Sequence, residues 1–256
     1  MPTLRAELVT PALLRAWPLP AVDDDADKTA RGTVHVVGGA PSTPGAVLLA
    51  GLAALRVGAG KLRISTVPET AVAVAVAVPE ALVDGSLQES LGGSGADAYV
   101  VGPGLLEPVS CVPTDGPAVI DAVALHDLPA ELPASCVLTP NENELGSLAG
   151  GEGELGTLAG RVAAERGCVV VTRGWVAHPD GRRWEVREGT AALATSGSGD
   201  VLAGIVGGLL ARGASPEQAG CWGQYLHATA GRRLGMLARE LLDPLPELFE
   251  LPDRVR

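Results

Sequence analysis

The 256-residue chain is 46% hydrophobic and 19% charged, with 34 Gly, 20 Pro and a formal net charge of −11. Glycine and proline scattered among apolar runs exclude a collagen-like or disordered chain. The acidic balance, with Lys28 and Lys61 the only lysines, excludes a surface built to neutralise nucleic-acid phosphates.

With one Phe, two Tyr and four Trp, the core has to be made of Ala, Val and Leu. Cys111, Cys136, Cys168 and Cys221 lie far apart without a CxxC pair, so they read as buried reduced thiols rather than zinc ligands or a disulfide framework. Arg5, Glu7 and Arg15 interrupt the N-terminal region, which is not a secretory signal. The longest charge-free apolar stretches, 71–79 and 201–211, are too short to span a bilayer. The expectation is a soluble, cytoplasmic protein.

Residues 1–31, Pro-rich and carrying the acidic run 23–27, read as an arm ahead of a single domain over 32–256. Strand candidates follow at 33–37, 62–66, 98–101, 118–121, 136–138 and 168–172, with Ala- and Leu-rich helical segments at 46–57 and 154–165 between some of them. Strand–helix–strand alternation with strands apolar on both faces predicts an α/β fold: a mostly parallel central sheet with helices on both faces. The Ala/Val run 71–78 fits either period, and Pro68-Glu69-Thr70 ahead of it favours a helix. Segments 175–178 and 183–186 read as a hairpin around Pro179-Asp180-Gly181-Arg182. Helices over 199–212 and 216–234 follow, then a stretch broken at Asp243-Pro244.

Thr195-Ser196-Gly197-Ser198-Gly199-Asp200 leads into an apolar helix. Small residues there allow a tight turn with consecutive N–H groups aimed at one spot, and the helix dipole adds positive potential for an anion such as a nucleotide phosphate. Asp200, in the first helical turn, is placed to take a proton from a hydroxyl attacking phosphorus. An ordinary loop in which Asp200 merely favours a helix start explains the spacing equally well.

Gly38-Gly39 with Pro44-Gly45-Ala46, and Gly102-Pro103-Gly104, are further glycine turns after strands, where open α/β sheets bind ligands. The first is not GxGxxG, so a dinucleotide fold of the Rossmann type is not supported. Asn141 can cap the helix after Pro140, and Asn141 with Glu144 could also hold hydrated Mg²⁺ beside phosphates. Asp121 and Arg173 end two other strands. In a parallel sheet these ends share one edge. His35 reads as a packed strand residue and His227 as a packed helix residue.

Together these motifs resemble the ADP/ATP-dependent (S)-NAD(P)H-hydrate dehydratase family of the ribokinase-like superfamily. The resemblance runs from about Lys28 to Pro246, on 32–39, Pro44-Gly45-Ala46, 53–60, Pro79-Glu80, 101–105, 120–122, Leu138-Thr139-Pro140 with Glu144, Arg173-Gly174, 194–204 and 226–228. It implies a three-layer ribokinase-like sandwich. It also implies a repair reaction: ADP or ATP phosphorylates the C6 hydroxyl of NADHX or NADPHX, and loss of phosphate restores the nicotinamide double bond. Asp200 would be the base, with Gly197 and Gly199 steadying the transferred phosphoryl group. Ala46, Gly104, Asn141 and Asp200 would line the hydrate pocket. Arg173, Gly174, Trp175, Val176, Ala177 and Gly199 would contact the adenine nucleotide, and Glu144 would lie near Mg²⁺ through water.

The resemblance further implies a homo-oligomer and a separate NAD(P)H-hydrate epimerase as functional partner. Asn141, Arg173 and Leu106 depart from the family's usual His, Lys and Gly. Asn141 with Glu144 matches instead the superfamily's small-molecule alcohol kinases, acting on thiazole, pyrimidine or pyridoxine-like substrates, which is the alternative function.

Overall fold

The computed structural model describes residues 6–21, 27–87, 95–107, 112–113, 116–249 and 251; Cys111 and most of the acidic run lie outside them. The strands are β1 (Glu7–Leu8), β2 (Thr33–Val37), β3 (Lys61–Ser65), β4 (Ala81–Asp84), β5 (Ala98–Val101), β6 (Ala118–Ile120), β7 (Cys136–Leu138), β8 (Val169–Thr172), β9 (Trp175–Ala177) and β10 (Arg183–Glu185). The helices are α1 (Pro11–Ala16), α2 (Gly45–Arg56), α3 (Pro68–Ala77), α4 (Glu142–Leu148), α5 (Leu155–Arg166), α6 (Ser198–Ala211), α7 (Pro216–Ala230) and α8 (Leu245–Leu248).

One ten-stranded sheet runs β1-β10-β9-β8-β7-β6-β5-β2-β3-β4. All pairings are parallel except those on either side of β9. Alternate residues of the central strands face different cores. Val34, Val36, Val100, Val119 and Val171 pack with α2, α6 and α7, whereas Val101, Ile120, Leu138 and Val170 pack with α4 and α5. Both faces are therefore covered, as β-branched, doubly buried parallel strands require.

Helices α2 and α6 lie in unusually close contact. A Cβ on Gly204 would sit 2.1 Å from Ala50 O, and one on Gly208 would sit 2.7 Å from Ala54 Cα. Residues 204 and 208 thus oppose 50 and 54 at four-residue steps, and nearer the start of α6 Gly197 lies against Leu49 of α2. Glycine is what allows this approach of two backbones.

Several elements differ from the sequence reading. Residues 6–21, set apart as an arm, contribute β1 to the sheet edge and α1 to its cover, with Val9 and Leu14 fully buried. Thr10 caps α1, its Oγ1 accepting from Leu13 N at 3.1 Å. Strand β4 escaped notice because it is an edge strand with one solvated face, and Leu82 is exposed on it. Helix α7 stops at Ala230 rather than at 234. Gly231 caps it where a Cβ would run into Leu193, so no larger residue could continue the turn. The Ala/Val run is helical, within α3.

Candidate active site

The carboxyl ends of the parallel strands gather the chemistry. After β2, Gly39 N donates to Pro103 O at 2.7 Å, and Thr43 Oγ1 donates to Gly104 O at 2.7 Å. These bonds lock the two glycine turns together. Gly104 has φ +70, and a Cβ there would lie 2.6 Å from Thr43 O and 2.8 Å from the Cβ of Ala46. Ala46 and Gly104, far apart in sequence, are thus neighbours.

Helix α6 starts against α2, at Leu49. Gly197 is its N-cap in the left-handed region, with φ +88, and no side chain caps the helix. A Cβ on Gly197 would lie 2.6 Å from Leu49 Cδ1 and 3.8 Å from Asp200 Oδ2, so the carboxylate folds back toward the loop. The space over Gly199 is open. Uncapped N–H groups at the start of a 14-residue helix make an anion cradle. Burial pushes the Asp200 carboxyl up to about 6, a value suited to a base that is mostly ionised near neutral pH.

His227 holds this loop from beneath. It is buried in α7, and its Nε2 lies 3.0 Å from both Ser198 O and Ser198 Oγ, while Nδ1 has no partner. A carbonyl only accepts, so the consistent tautomer carries the proton on Nε2 and donates it to Ser198 O. Burial depresses its basicity to about 4, which keeps the ring neutral. The sequence reading placed His227 correctly in the interior but gave it no partner, because the register of α7 against α6 is a tertiary fact.

On the other side, Thr139 Oγ1 donates to Asp121 Oδ1 at 2.8 Å and Thr172 Oγ1 donates to Pro140 O at 2.8 Å, tying the ends of β6, β7 and β8 together. Asp121 is pushed up to about 7, chiefly by burial and also by the charges of Asp200 and Glu144, whereas the Thr139 bond acts against this. Three carboxylates therefore bear on one region. Asn141 and Glu144 form a reciprocal capping box: Asn141 Oδ1 accepts from Glu144 N at 3.0 Å, and Glu144 Oε2 accepts from Asn141 N at 2.8 Å. Among the described residues no three His, Cys, Asp or Glu side chains gather closely enough to hold a metal ion alone.

Arg173 is exposed and pairs with Glu142 at 2.7 Å, a partner the sequence reading did not anticipate. Gly174 and Trp175 follow at the accessible end of β9, with the Trp175 ring against Gly156. Val176 and Ala177 differ from the rest of the expected nucleotide set. They occupy the interior of β9, and their side chains point into the two cores. A strand paired on both sides leaves them no side-chain contact to offer.

A doubly covered parallel sheet with a glycine loop opening a helix at its carboxyl edge defines a ribokinase-like α/β protein. Ribokinase from Cryptococcus neoformans var. grubii in complex with ADP shares this fold at TM-score 0.57 and 13% identity, over 84% of this chain and 98% of that one. Within that class the chain belongs to the NAD(P)H-hydrate dehydratase family, which matches residues 34–247. It is 40% identical over 282 residues to the ADP-dependent (S)-NAD(P)H-hydrate dehydratase of Xanthomonas campestris pv. campestris, covering 96% of this chain and 97% of the relative. It superposes on the Bacillus subtilis ADP/ATP-dependent NAD(P)H-hydrate dehydratase co-crystallized with ATP/Mg²⁺ at TM-score 0.86, with 30% identity, over 97% of this chain and 99% of that one. The Bifunctional NAD(P)H-hydrate repair enzyme of Salinibacter ruber is 36% identical, and the match covers 93% of this chain but 52% of that longer protein.

Proposed function

We propose that this protein restores NADH and NADPH from their (6S)-hydrates, with ADP or ATP as phosphoryl donor. The observation that supports the reading is the uncapped Gly197 start of α6, with the Asp200 carboxyl folded back toward it and raised by burial. The hydrate lies against Ala46 and Gly104 with its C6 hydroxyl toward Asp200, and Asn141 faces it from the start of α4. The nucleotide reaches over Arg173, Gly174 and Trp175 to the N–H groups of Gly197 and Gly199.

Asp200 takes the hydroxyl proton as the oxygen attacks the terminal phosphorus and the bond to the bridging oxygen breaks. The N–H groups of the loop face the transferred oxygens and carry their charge. His227 keeps that loop in place through Ser198. Phosphate then leaves C6 with the C–O electron pair and a ring proton is lost, which forms the double bond. Hydroxide leaves poorly and phosphate well, which is the reason for the detour through the ester. A hydrated Mg²⁺ carried on nucleotide phosphates would be held near Asp121, Asp200 and Glu144, with Glu144 acting through water. That ion supplies neutralisation of phosphate charge. The (6R) epimer needs an epimerase, here proposed to be a separate partner, and the active form is proposed to be a homo-oligomer.

The test is to incubate the protein with NADPH hydrate, Mg²⁺ and either ADP or ATP, and to follow the near-ultraviolet absorbance of reduced nicotinamide. Recovery of absorbance with release of inorganic phosphate is expected. No recovery with either nucleotide refutes the reading. The alcohol-kinase alternative rests on the Asn141 and Glu144 spacing, and the capping box accounts for that spacing without a ligand. A stable phosphoester product with a thiazole, pyrimidine or pyridoxine-like alcohol would nevertheless revive it.

A further inference from the structure

A cavity of about 620 Å³ opens at the opposite end of the sheet, where α2 and α6 finish. Its floor includes Leu14, Trp222 and Phe249, and besides Arg15 three further arginines, Arg31, Arg56 and Arg212, line it. Elsewhere some arginines stand beside carboxylates, as Arg182 does with Asp180 and Arg233 with Glu240, and others donate to carbonyls, as Arg166 does to Pro129 O. Among the described residues none of these three has a carboxylate partner. The buried Nε atoms of Arg31 and Arg212 have no acceptor among the described residues. Arg31 also lies close enough to Arg212 for its charge, together with burial, to depress the Arg212 guanidinium. Arg15, also on the lining, has its guanidinium engaged by Leu251 O.

Helix dipoles account for part of this. Arg56 is the last residue of α2 and Arg212 caps α6, positions that favour cations. Arg212 also donates to Val57 O at 2.7 Å and to Pro20 O at 3.3 Å, tying the helix end to its neighbours. Neither fact explains a second guanidinium, Arg31, held beside it with no counter-charge among the described residues. Two like charges over an apolar, aromatic floor are costly unless an anion joins them. Arg212 already lies 5.6 Å from the Phe249 ring centroid, so the charged and aromatic parts of the lining are contiguous. The volume falls in the range of small-molecule sites.

We propose that this cavity is a second binding site, separate from the catalytic edge, for a small organic phosphate with an apolar or aromatic body. Its phosphate is held by Arg31 and Arg212 with Arg56 at the mouth, and its body lies against Trp222, Phe249 and Leu14. The proposal is independent of the repair reaction.

Phenyl phosphate is the probe, titrated calorimetrically into the whole protein in saturating ADP and Mg²⁺, with inorganic phosphate and phenol as half-ligands. One phenyl phosphate per chain is expected, binding more tightly than either half. Arg31→Gln and the exposed Arg56→Gln should each weaken it by about tenfold, the scale of one charge-assisted contact. Arg173→Gln at the catalytic edge should leave it unchanged. The proposal falls if binding is not saturable, or if Arg173→Gln abolishes it while Arg31→Gln and Arg56→Gln do not. It also falls if binding requires prior replacement of Asp23, Asp24 and Asp25 by Asn, which would make the chain's own acidic run the occupant. Dissociation of an oligomer by Arg56→Gln, with no effect on the probe, would assign the arginines to a contact between copies and overturn the proposal equally.

Discussion

Asp121→Asn isolates the electrostatic cost built into the site. Asp121 is buried, accepts from Thr139 Oγ1 at 2.8 Å, and holds its proton up to about pH 7 rather than losing it near the ordinary carboxyl value of 3.8. Between those two values the folded state binds a proton that the unfolded chain has released. Stability from this group is therefore complete below the unfolded value and is lost as pH rises through the window. Each unit of separation corresponds to about 1.4 kcal/mol, so the loss between about pH 5 and pH 8 comes to about 2–3 kcal/mol. Asn keeps the shape and the acceptor for Thr139 but has no charge to desolvate. The variant should match the wild type only below about pH 4, and its advantage in unfolding free energy should grow by about 2–3 kcal/mol between pH 5 and pH 8. Urea unfolding of both proteins across this range, followed by circular dichroism, is the assay. Taking the difference between variant and wild type cancels other groups, including His227, whose depressed value makes stability fall as pH drops from 6.5 toward about 4. Parallel curves for the two proteins would refute the placement of Asp121 as a buried, proton-holding carboxyl.

At the neighbouring Asp200, kcat/KM should rise about tenfold per pH unit below about 6 and level off above it, since the base acts ionised. Asp200→Asn should cost at least about 10²-fold in kcat while leaving nucleotide binding by calorimetry intact, and a variant of near-normal rate would remove Asp200 from the chemistry. Gly197→Ala forces a side chain into φ +88 and to within 2.6 Å of Leu49, so thermal unfolding should show a loss of about 2–4 kcal/mol. His227→Phe leaves Ser198 O without its donor. It should cost about 1–3 kcal/mol in stability and lower kcat more than it raises KM, and an unchanged kcat would show that the loop does not depend on this bond.

How much of this was legible in the sequence differs from residue to residue. Gly197, Gly199 and Asp200 were visible because a tight turn before a helix needs small residues in consecutive positions, and the turn is where it was expected. Asn141 was readable as a cap, and a cap is what it is. Val176 and Ala177 were assigned to the nucleotide by motif position alone. Both lie in a strand paired on each side, which a motif does not reveal. The edge strand β4 and the N-terminal strand β1 were missed for a related reason: two to four residues with an exposed face carry little periodicity.

The sequence by itself determined the local elements, since strand and helix periods, caps and glycine turns are properties of neighbouring residues. It also pointed to the strand ends as the place for phosphate-type chemistry. Only the tertiary structure decided which ends meet. The packing of the glycine turn after β5 on the start of α2 brings Gly104 to Ala46, and the register of α7 on α6 brings His227 to Ser198. The same packing leaves Arg31 beside Arg212 at the far edge. Contacts between residues distant in the chain depend on how close two backbones can come, and that distance is settled by the whole packed core.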